Sequence, residues 1–360
     1  MGALSNLFPQ GGGGDGKRTV RFIVGTSTAG WTEADCDYLC DGTADDVEII
    51  AAIQALPSTG GEVVILDGTY NITAPIVVNK AYVTLSGNGK ATKLMRGFDG
   101  NSAAYGMVWI TVDNCTVRDL YIDGVKEIYS ASATYNNGIG VVGKSNSIAN
   151  VICSNNFGRG VYISNVGSLI GENNVVTGSI VSNNGQVGIL CGNGGNRAVG
   201  NILAGNSNVG INIVGGVAVG NVCSNSYTGI SSSNSVVVGN TCNNNNVYGI
   251  MARDNSSVVG NICNNNQSGI TVNSSSHCVI EGNVCRQNSV ANIIFAGANY
   301  NTVVGNNCAV LSDDTTKPTY SIQLGGTTNS YNLIANNHLG TLNYASGGGT
   351  SNTFVNNKYN

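Results

Sequence analysis

Apolar and polar residues alternate along most of this chain in short runs that asparagine and glycine interrupt. After each of several glycines the apolar residues fall two apart: Ile189 and Cys191, Ile211 and Ile213, Ile270 and Val272, Ile293 and Phe295. A period of two places such residues on one face of a strand and the intervening ones on the other. The strands recur. Val199-Gly200-Asn201 is followed by Val219-Gly220-Asn221, Val238-Gly239-Asn240, Val259-Gly260-Asn261, Glu281-Gly282-Asn283 and Gly305-Asn306, the glycines stepping by 20, 19, 21, 22 and 23 residues. A Gly-Ile phrase recurs between them at Gly188, Gly210, Gly229, Gly249 and Gly269. A period of about 20 residues is that of a solenoid, in which each unit buries its apolar side against its neighbours.

The residue types select the kind of solenoid. Val, Ile, Ser and Thr broken by Asn and Gly make strands and turns. Leucines are too sparse for a leucine-rich repeat, and the period is too short for helical repeats. The pattern predicts an all-β solenoid, a right-handed single-stranded parallel β-helix with coils about 4.8 Å apart. Equal positions then lie above one another. Asn150, Asn201, Asn221, Asn240, Asn261, Asn283 and Asn306 are expected to form one asparagine ladder at a bend, because Asn tolerates left-handed backbone and its amide bonds to those above and below. Two residues past the later asparagines stand Leu203, Cys223, Cys242, Cys263, Cys285 and Cys308. These thiols read as a buried column of small apolar side chains. No C-x-x-C spacing is present, and no metal site is expected.

Three stretches organise the chain. Residues 1–17 read as a flexible arm in which Leu4, Leu7 and Phe8 precede four glycines and serve to anchor the chain on a partner. Residues 18–60 hold a strand from Arg18 to Val24, a loop through Cys40 and a helix ending at Leu56. Thr43 is expected to cap that helix with Asp46 answering from the third position. Val47, Ile50, Ala51, Ile53 and Leu56 form its predicted apolar stripe. Such a capping α-helix would cover the raw N-terminal end of the β-helix, residues 61–360.

The segments Asp41-Gly42-Thr43-Ala44-Asp45-Asp46, Ala51-Ala52-Ile53, Gly60-Gly61-Glu62-Val63-Val64-Ile65 and Gly68-Thr69-Tyr70 resemble the start of the pectate-lyase-like superfamily of right-handed parallel β-helices. Asp67 replaces the proline usual before Gly-Thr-Tyr. By motif the resemblance covers residues 35–125. It implies the fold, and a kinship with polysaccharide lyases, hydrolases, epimerases and bacteriophage tailspikes.

Composition narrows the classes. Only 10% of the 360 residues are charged and the net charge is −4, so no basic surface for nucleic acid is present. No apolar run approaches the length of a membrane-spanning helix. No basic and apolar leader follows Met1. Eleven cysteines, an odd number, fit synthesis in a reducing compartment.

Glycosidic cleavage requires two carboxylates about 5–9.5 Å apart. Between Gly138 and Ser312 the carboxylates are Glu172, Asp254 and Glu281, at no common register. Lyases of the family, as the resemblance implies, use Ca²⁺-holding aspartates and an arginine base. The Gly-His-Gly and Asp-Asp pairs of its polygalacturonase-like branch are absent. Asp119 and Asp123 are the early catalytic candidates, with Asp119 at the ladder position of Asn150. Asp313 and Asp314 read as solvated turn residues. Binding asks less, since sugars stack on aromatic faces and bond to Arg, Asp and Asn. Arg159, Tyr162, Tyr227, Tyr248, Arg253 and Asp254 lie in or beside the Gly-Ile strands and could share one face. The outward column Tyr162, Leu190, Asn212, Ser231, Met251, Thr271, Ile294 is more apolar than a solvated face requires.

The sequence therefore points to a tailspike- or tail-fibre-like virion protein of a bacteriophage or prophage, made in the host cytoplasm and leaning away from enzymatic activity. Its expected partners are cell-surface polysaccharide, contacted through the β-helix, and other virion proteins, contacted through the arm. A homotrimer is compatible with this reading, and no cofactor is expected. Two rivals remain: a polysaccharide lyase or glycoside hydrolase with its site in the early coils, and a non-catalytic extracellular solenoid of a cell surface.

Overall fold

The computed structural model describes residues 20–358 apart from 103, 169, 310–313, 315, 317, 326–327, 340–344 and 347–348. The arm with Leu4, Leu7 and Phe8 lies outside the described residues. All strand pairs are parallel, as the period required. One regular coil shows the plan. Val217–Val219 lies in sheet A and Val222–Ser224 in sheet B, with Gly220 and Asn221 at the corner between them. Thr228–Ser233 lies in sheet C, from which Asn234 and Ser235 lead to Val236–Val238, back in sheet A. Among the described residues sheet A has 15 strands, sheet B 8 and sheet C 12, and sheet B runs on through single bridges from Ile262 to Lys358. The result is a right-handed parallel β-helix.

The inward rows follow the predicted alternation. Ile189, Cys191, Ile211, Ile213, Ile270, Val272, Ile293 and Phe295 are fully buried. Val181, Leu203, Cys223 and Cys242 stand in register. Cys223, Cys242, Cys263, Cys285 and Cys308 are buried and free, as the spacing predicted. Burial pushes the Cys191 thiol up to about 12 and holds Cys223 and Cys263 well above the ordinary value.

The asparagine ladder differs from expectation by one residue. Asn150 is not a rung. It adopts left-handed backbone (φ 53°), the conformation that Gly200, Gly220 and Gly239 adopt in later coils. The rung is the next residue, and the hydrogen-bonded asparagines run Asn201, Asn221, Asn240, Asn261, Asn283, Asn306, Asn337, Asn357. Both residue types tolerate the bend, so Asn150 and Gly200 are equivalent there. Two further ladders hold the other corners. Asn156, Asn184 and Asn206 bond in series between sheets B and C, as do Asn174 and Asn196 between sheets C and A. Glycine in the Gly-Ile phrase has another cause. A Cβ on Gly249 would lie 2.5 Å from the Gly269 carbonyl oxygen and 2.9 Å from Asn266 Nδ2, so only glycine lets the coils close.

The N-terminal region departs from its predicted details. The loop through Cys40 contains a short strand, Tyr38–Cys40, paired with Arg21–Thr26. The helix runs Asp46–Ala55, and no side chain caps it. Asp45 instead accepts hydrogen bonds from the Gly42 and Asn71 backbone N–H groups, and Asp46 accepts from Thr73. The two carboxylates thus tie the helix start to the first strand of sheet B. The buried face is Ile49, Ala52, Ile53 and Leu56, while Val47 is 58% exposed. That face packs on the strands Arg21–Thr26, Gly61–Ile65 and Ile76–Val78. The stripe is therefore turned from the one expected, because Ile49 and Ala52 complete the i, i+3, i+4, i+7 spacing.

The ladder yields two expectations. Replacing Asn240 by Ala leaves the Asn221 N–H and Nδ2 donors without their acceptor. Each buried orphan costs about 1–3 kcal/mol, read as a lower urea midpoint. Gly239→Asn should shift the midpoint by less than about 1 kcal/mol, since the fold already uses Asn at that position. An unchanged midpoint for Asn240→Ala would contradict the rung assignment. Thiol reagents should label the cysteine column at the rate of unfolding, and rapid labelling of native protein would contradict its burial.

Candidate functional site

The outer face of sheet C begins with an aromatic cluster that the repeat does not dictate. Trp109, in the strand Val108–Ile110, stands in register with Gly140 and Tyr162 of the next two coils. The long B-to-C connections of the early coils add Tyr105 and Tyr135. Tyr105 stacks on Tyr162 with centroids 5.7 Å apart and planes at 15°. It also packs against Trp109 at 5.4 Å and meets Tyr135 edge-on at 5.2 Å. The Trp109 ring occupies the space over Gly140, where a Cβ would lie 2.5 Å from Cε3. Ala104 and Val142 complete a small apolar cluster outside the main core, with Val166, just past the strand Val161–Ile163, against it.

Asparagines hold these loops. Asn136 donates to the Asp99 carboxylate at 2.7 Å, and Asn137 donates to the Tyr105 carbonyl at 2.8 Å. The Asn137 side-chain oxygen accepts from the Arg159 N–H. The Arg159 guanidinium lies 5.1 Å from the Tyr162 ring centroid. Its Nε is sealed from solvent and has no acceptor. Burial lowers the Arg159 pKa, while Tyr162 opposes the shift. A half-buried cation stacked on a ring suits a ligand that offers both a flat apolar face and oxygen acceptors.

Sheet B presents a second early cluster. Asp123 forms a 2.7 Å ion pair with Lys93 and accepts from Asn155 Nδ2 and Tyr121 Oη. Lys93 also lies 5.1 Å from the Tyr121 ring centroid. Burial raises the Asp123 pKa, but Lys93, Asn155 and the Val125 N–H outweigh it and hold the carboxyl below the ordinary range. Asp119 sits at the corner in left-handed backbone above Asn150, not in the ladder, and pairs with Arg118 at 2.7 Å. Arg118 in turn reaches Glu62. Both catalytic candidates are thus engaged by cations, Asp123 on sheet B and Asp119 at the A–B corner.

The six binding candidates do not gather at one point. Arg159 and Tyr162 join the aromatic cluster. Tyr227 and Tyr248 form an edge-on pair 6.4 Å apart at the start of the sheet C strands. Tyr248 is two residues from Asn246, which with Asn265, Gln267, Gln287 and Thr316 lines an open, amide-rich pocket of about 420 Å³. Arg253 and Asp254 lie at the far end of the strand Tyr248–Arg253, about 16 Å away. There they line a separate pocket with Asn273, Ser274 and Ser275. The outward column itself is as read, with Tyr162, Leu190, Asn212, Ser231, Met251, Thr271 and Ile294 in register. Asp314 is not a solvated turn residue. It is buried and pairs with Arg286 at 2.6 Å, while Asp313 lies outside the described residues.

The Asp123 pair sets a pH dependence. A carboxyl whose folded pKa is depressed contributes stability that is complete above the unfolded value, about 3.9, and is lost as pH falls through the folded value. The stability difference between the wild type and Asp123→Asn should be constant near neutrality and shrink below about pH 4. A difference that grows on acidification, measured by urea midpoints, would contradict the assigned ion pair.

Comparison with known proteins places this geometry. A family model described as "Periplasmic copper-binding protein (NosD)" matches residues 208–360. No curated protein matches the chain by sequence. Among solved structures, the mannuronan C-5 epimerase AlgE6 A-module of Azotobacter vinelandii superposes with a TM-score of 0.72 at 19% identity, covering 88% of this chain and 96% of that one. The Dettilon tailspike protein gives 0.63 at 16% identity, covering 88% of this chain and 66% of the tailspike. DFA-IIIase from Arthrobacter chlorophenolicus A6, without its lid, gives 0.63 at 11% identity, covering 86% and 94%. At such identities the likeness is one of fold. Among the described residues of 208–360 the thiols are sealed in the apolar core, His277 stacks on Tyr300 at the surface, and no three His, Cys, Asp or Glu side chains bring their ligand atoms together. Among the described residues, Cys40, Asp45 and Glu48 bring three ligand atoms within 4.8 Å of one another, but outside that span and with both Asp45 oxygens already accepting backbone N–H groups. With its stacked parallel sheets and these structural neighbours, the chain has the right-handed parallel β-helix fold.

Proposed function

We propose that this chain is a carbohydrate-contacting β-helix, tailspike- or tail-fibre-like, that binds a cell-surface polysaccharide through the early face of sheet C. The observation that carries the reading is the cluster of Tyr105, Trp109, Tyr135 and Tyr162 with the Arg159 guanidinium stacked on Tyr162. Aromatic faces match the apolar side of a pyranose ring, and the guanidinium matches its hydroxyl or carboxylate oxygens. The neighbours named as a mannuronan epimerase, a tailspike and an α-1,3-glucanase support a carbohydrate partner. The stretch with Leu4, Leu7 and Phe8 is proposed as the anchor to other virion proteins. In this reading the chain binds and does not cleave, since Asp119 and Asp123 are spent on Arg118 and Lys93.

An enzyme of the early coils is the second reading. It is favoured by the convergence of Lys93, Tyr121 and Asp123 on sheet B, a carboxylate beside a cation and a phenol.

Binding to immobilised acidic and neutral polysaccharides separates the readings. Tyr162→Ala and Arg159→Ala should each weaken binding by about tenfold or more, the loss of one stacking or charged contact. Polysaccharide chain length should stay unchanged on incubation. Undiminished binding by both variants would overturn the sheet C site. Chain shortening that Asp123→Asn abolishes would replace it with the enzyme.

A further inference from the structure

The corner between sheets A and B carries an apolar ridge that the core does not use. On the sheet B side, Ile180, Ile202, Val222, Thr241, Ile262 and Val284 stand in one outward register. Ile180, Ile202, Val222 and Ile262 are 41–50% exposed. On the sheet A side Val199, Val219, Val238 and Val259 form a second outward row. Between the rows lie Gly200, Gly220, Gly239 and Gly260, which have open space where a Cβ would point. Val217 and Val236 widen the sheet A flank. From Val199 to Ile262 these rows contain no charged residue. The ridge is about 24 Å long and about 15 Å around the corner. An apolar patch of a few hundred Å² is as large as the largest patch on a typical monomer, and such patches are often functional.

We infer that a second copy of this chain covers the ridge, in an antiparallel, two-fold pair. Two observations choose this occupant. The first is periodicity. The side chains repeat every coil, about 4.8 Å, and a partner can seat its own between them along the full length only if it repeats at the same rise. This chain is such a stack. The second is charge. Arg197 lies in sheet A at one end of the ridge and Glu281 in sheet A at the other, in the fifth row counting that of Arg197 as the first. Both are exposed, and among the described residues neither forms an ion pair. A two-fold axis across the central row, Val236–Val238, brings Arg197 of each copy to the level of Glu281 of the other, two strand positions and about 7 Å along the strand. The interface is then isologous and closed. A parallel pairing keeps each charge at its own level, facing apolar rows.

The inference is independent of the carbohydrate reading, because the ridge lies on another side of the solenoid. Sedimentation equilibrium of the full chain tests it. The expected result is a concentration-dependent dimer. Val238→Lys, at the centre of the ridge and outward-facing, should be monomeric with an unchanged far-UV spectrum. Arg197→Glu should weaken the dimer by about tenfold, and adding Glu281→Arg should restore it. A monomeric wild type, a trimer, or full association by Val238→Lys would overturn the inference. Failure of the double reversal to restore the dimer would overturn the antiparallel pairing. Loss of the dimer in Leu4→Ser with Phe8→Ser would show that the arm is the occupant and would equally overturn it.

Discussion

The Asn221 side chain accepts hydrogen bonds from the Asn201 N–H and Nδ2 at 2.9 Å and donates to Asn240 and to the Ala198 carbonyl. The same bonds recur in each coil from Asn201 to Asn357. A corner of a β-helix turns the chain between two sheets and so interrupts the strand hydrogen bonds. Its polar groups lie at the edge of the apolar core, where an unpaired donor is costly. The asparagine column satisfies them, fixes the register of each coil on the next, and keeps the inward rows of Ile, Val and Cys aligned. The ladders at the other two corners do the same work with more exceptions, Ser226 and Ser235 serving as shorter rungs.

Much of this was legible because one register repeats. The glycine spacing gives the coil length, the alternation gives the inward rows, and the cysteine column follows from both. The outward column from Tyr162 to Ile294 was legible for the same reason. Six of the seven expected rungs, Asn201 to Asn306, are the observed ones; Asn150 alone was misplaced by a residue, since Asn and Gly both suit left-handed backbone and the sequence does not say which of two adjacent residues bends. The second and third ladders were hidden because Ser and Gly replace Asn in several coils. Asp45 and Asp46 read as helix-start residues, but their acceptors are used by Asn71 and Thr73, which lie 26 and 27 residues on.

The candidate site was legible only in part. Arg159 and Tyr162 stand in or beside a repeating strand and were visible. Tyr105 and Tyr135 lie in connections without a counterpart in other coils, so no period pointed to them. The signal that was available is density: Tyr105, Trp109, Tyr129 and Tyr135 crowd together in a chain only 6% aromatic in all. A related departure is the exposed stack of His277, Tyr300 and Tyr331, with centroids 5.6 and 4.9 Å apart. These rings occupy left-handed positions that other coils give to Asn234 and Asn255. Stacking offsets the backbone strain there. In a uniform solenoid the core carries little information about function, and the places where the repeat is broken carry most of it.

The most direct test of the account is native-state hydrogen exchange resolved at the corners. If the asparagine columns hold the coils in register, the side-chain Nδ2 hydrogens and backbone N–H groups of Asn221, Asn240 and Asn261 exchange as slowly as the strand amides of Cys223 and Val237, through shared unfolding of the stack. Fast exchange at these asparagines with protected strands on either side would contradict it, and would leave the strand pairing alone to set the register.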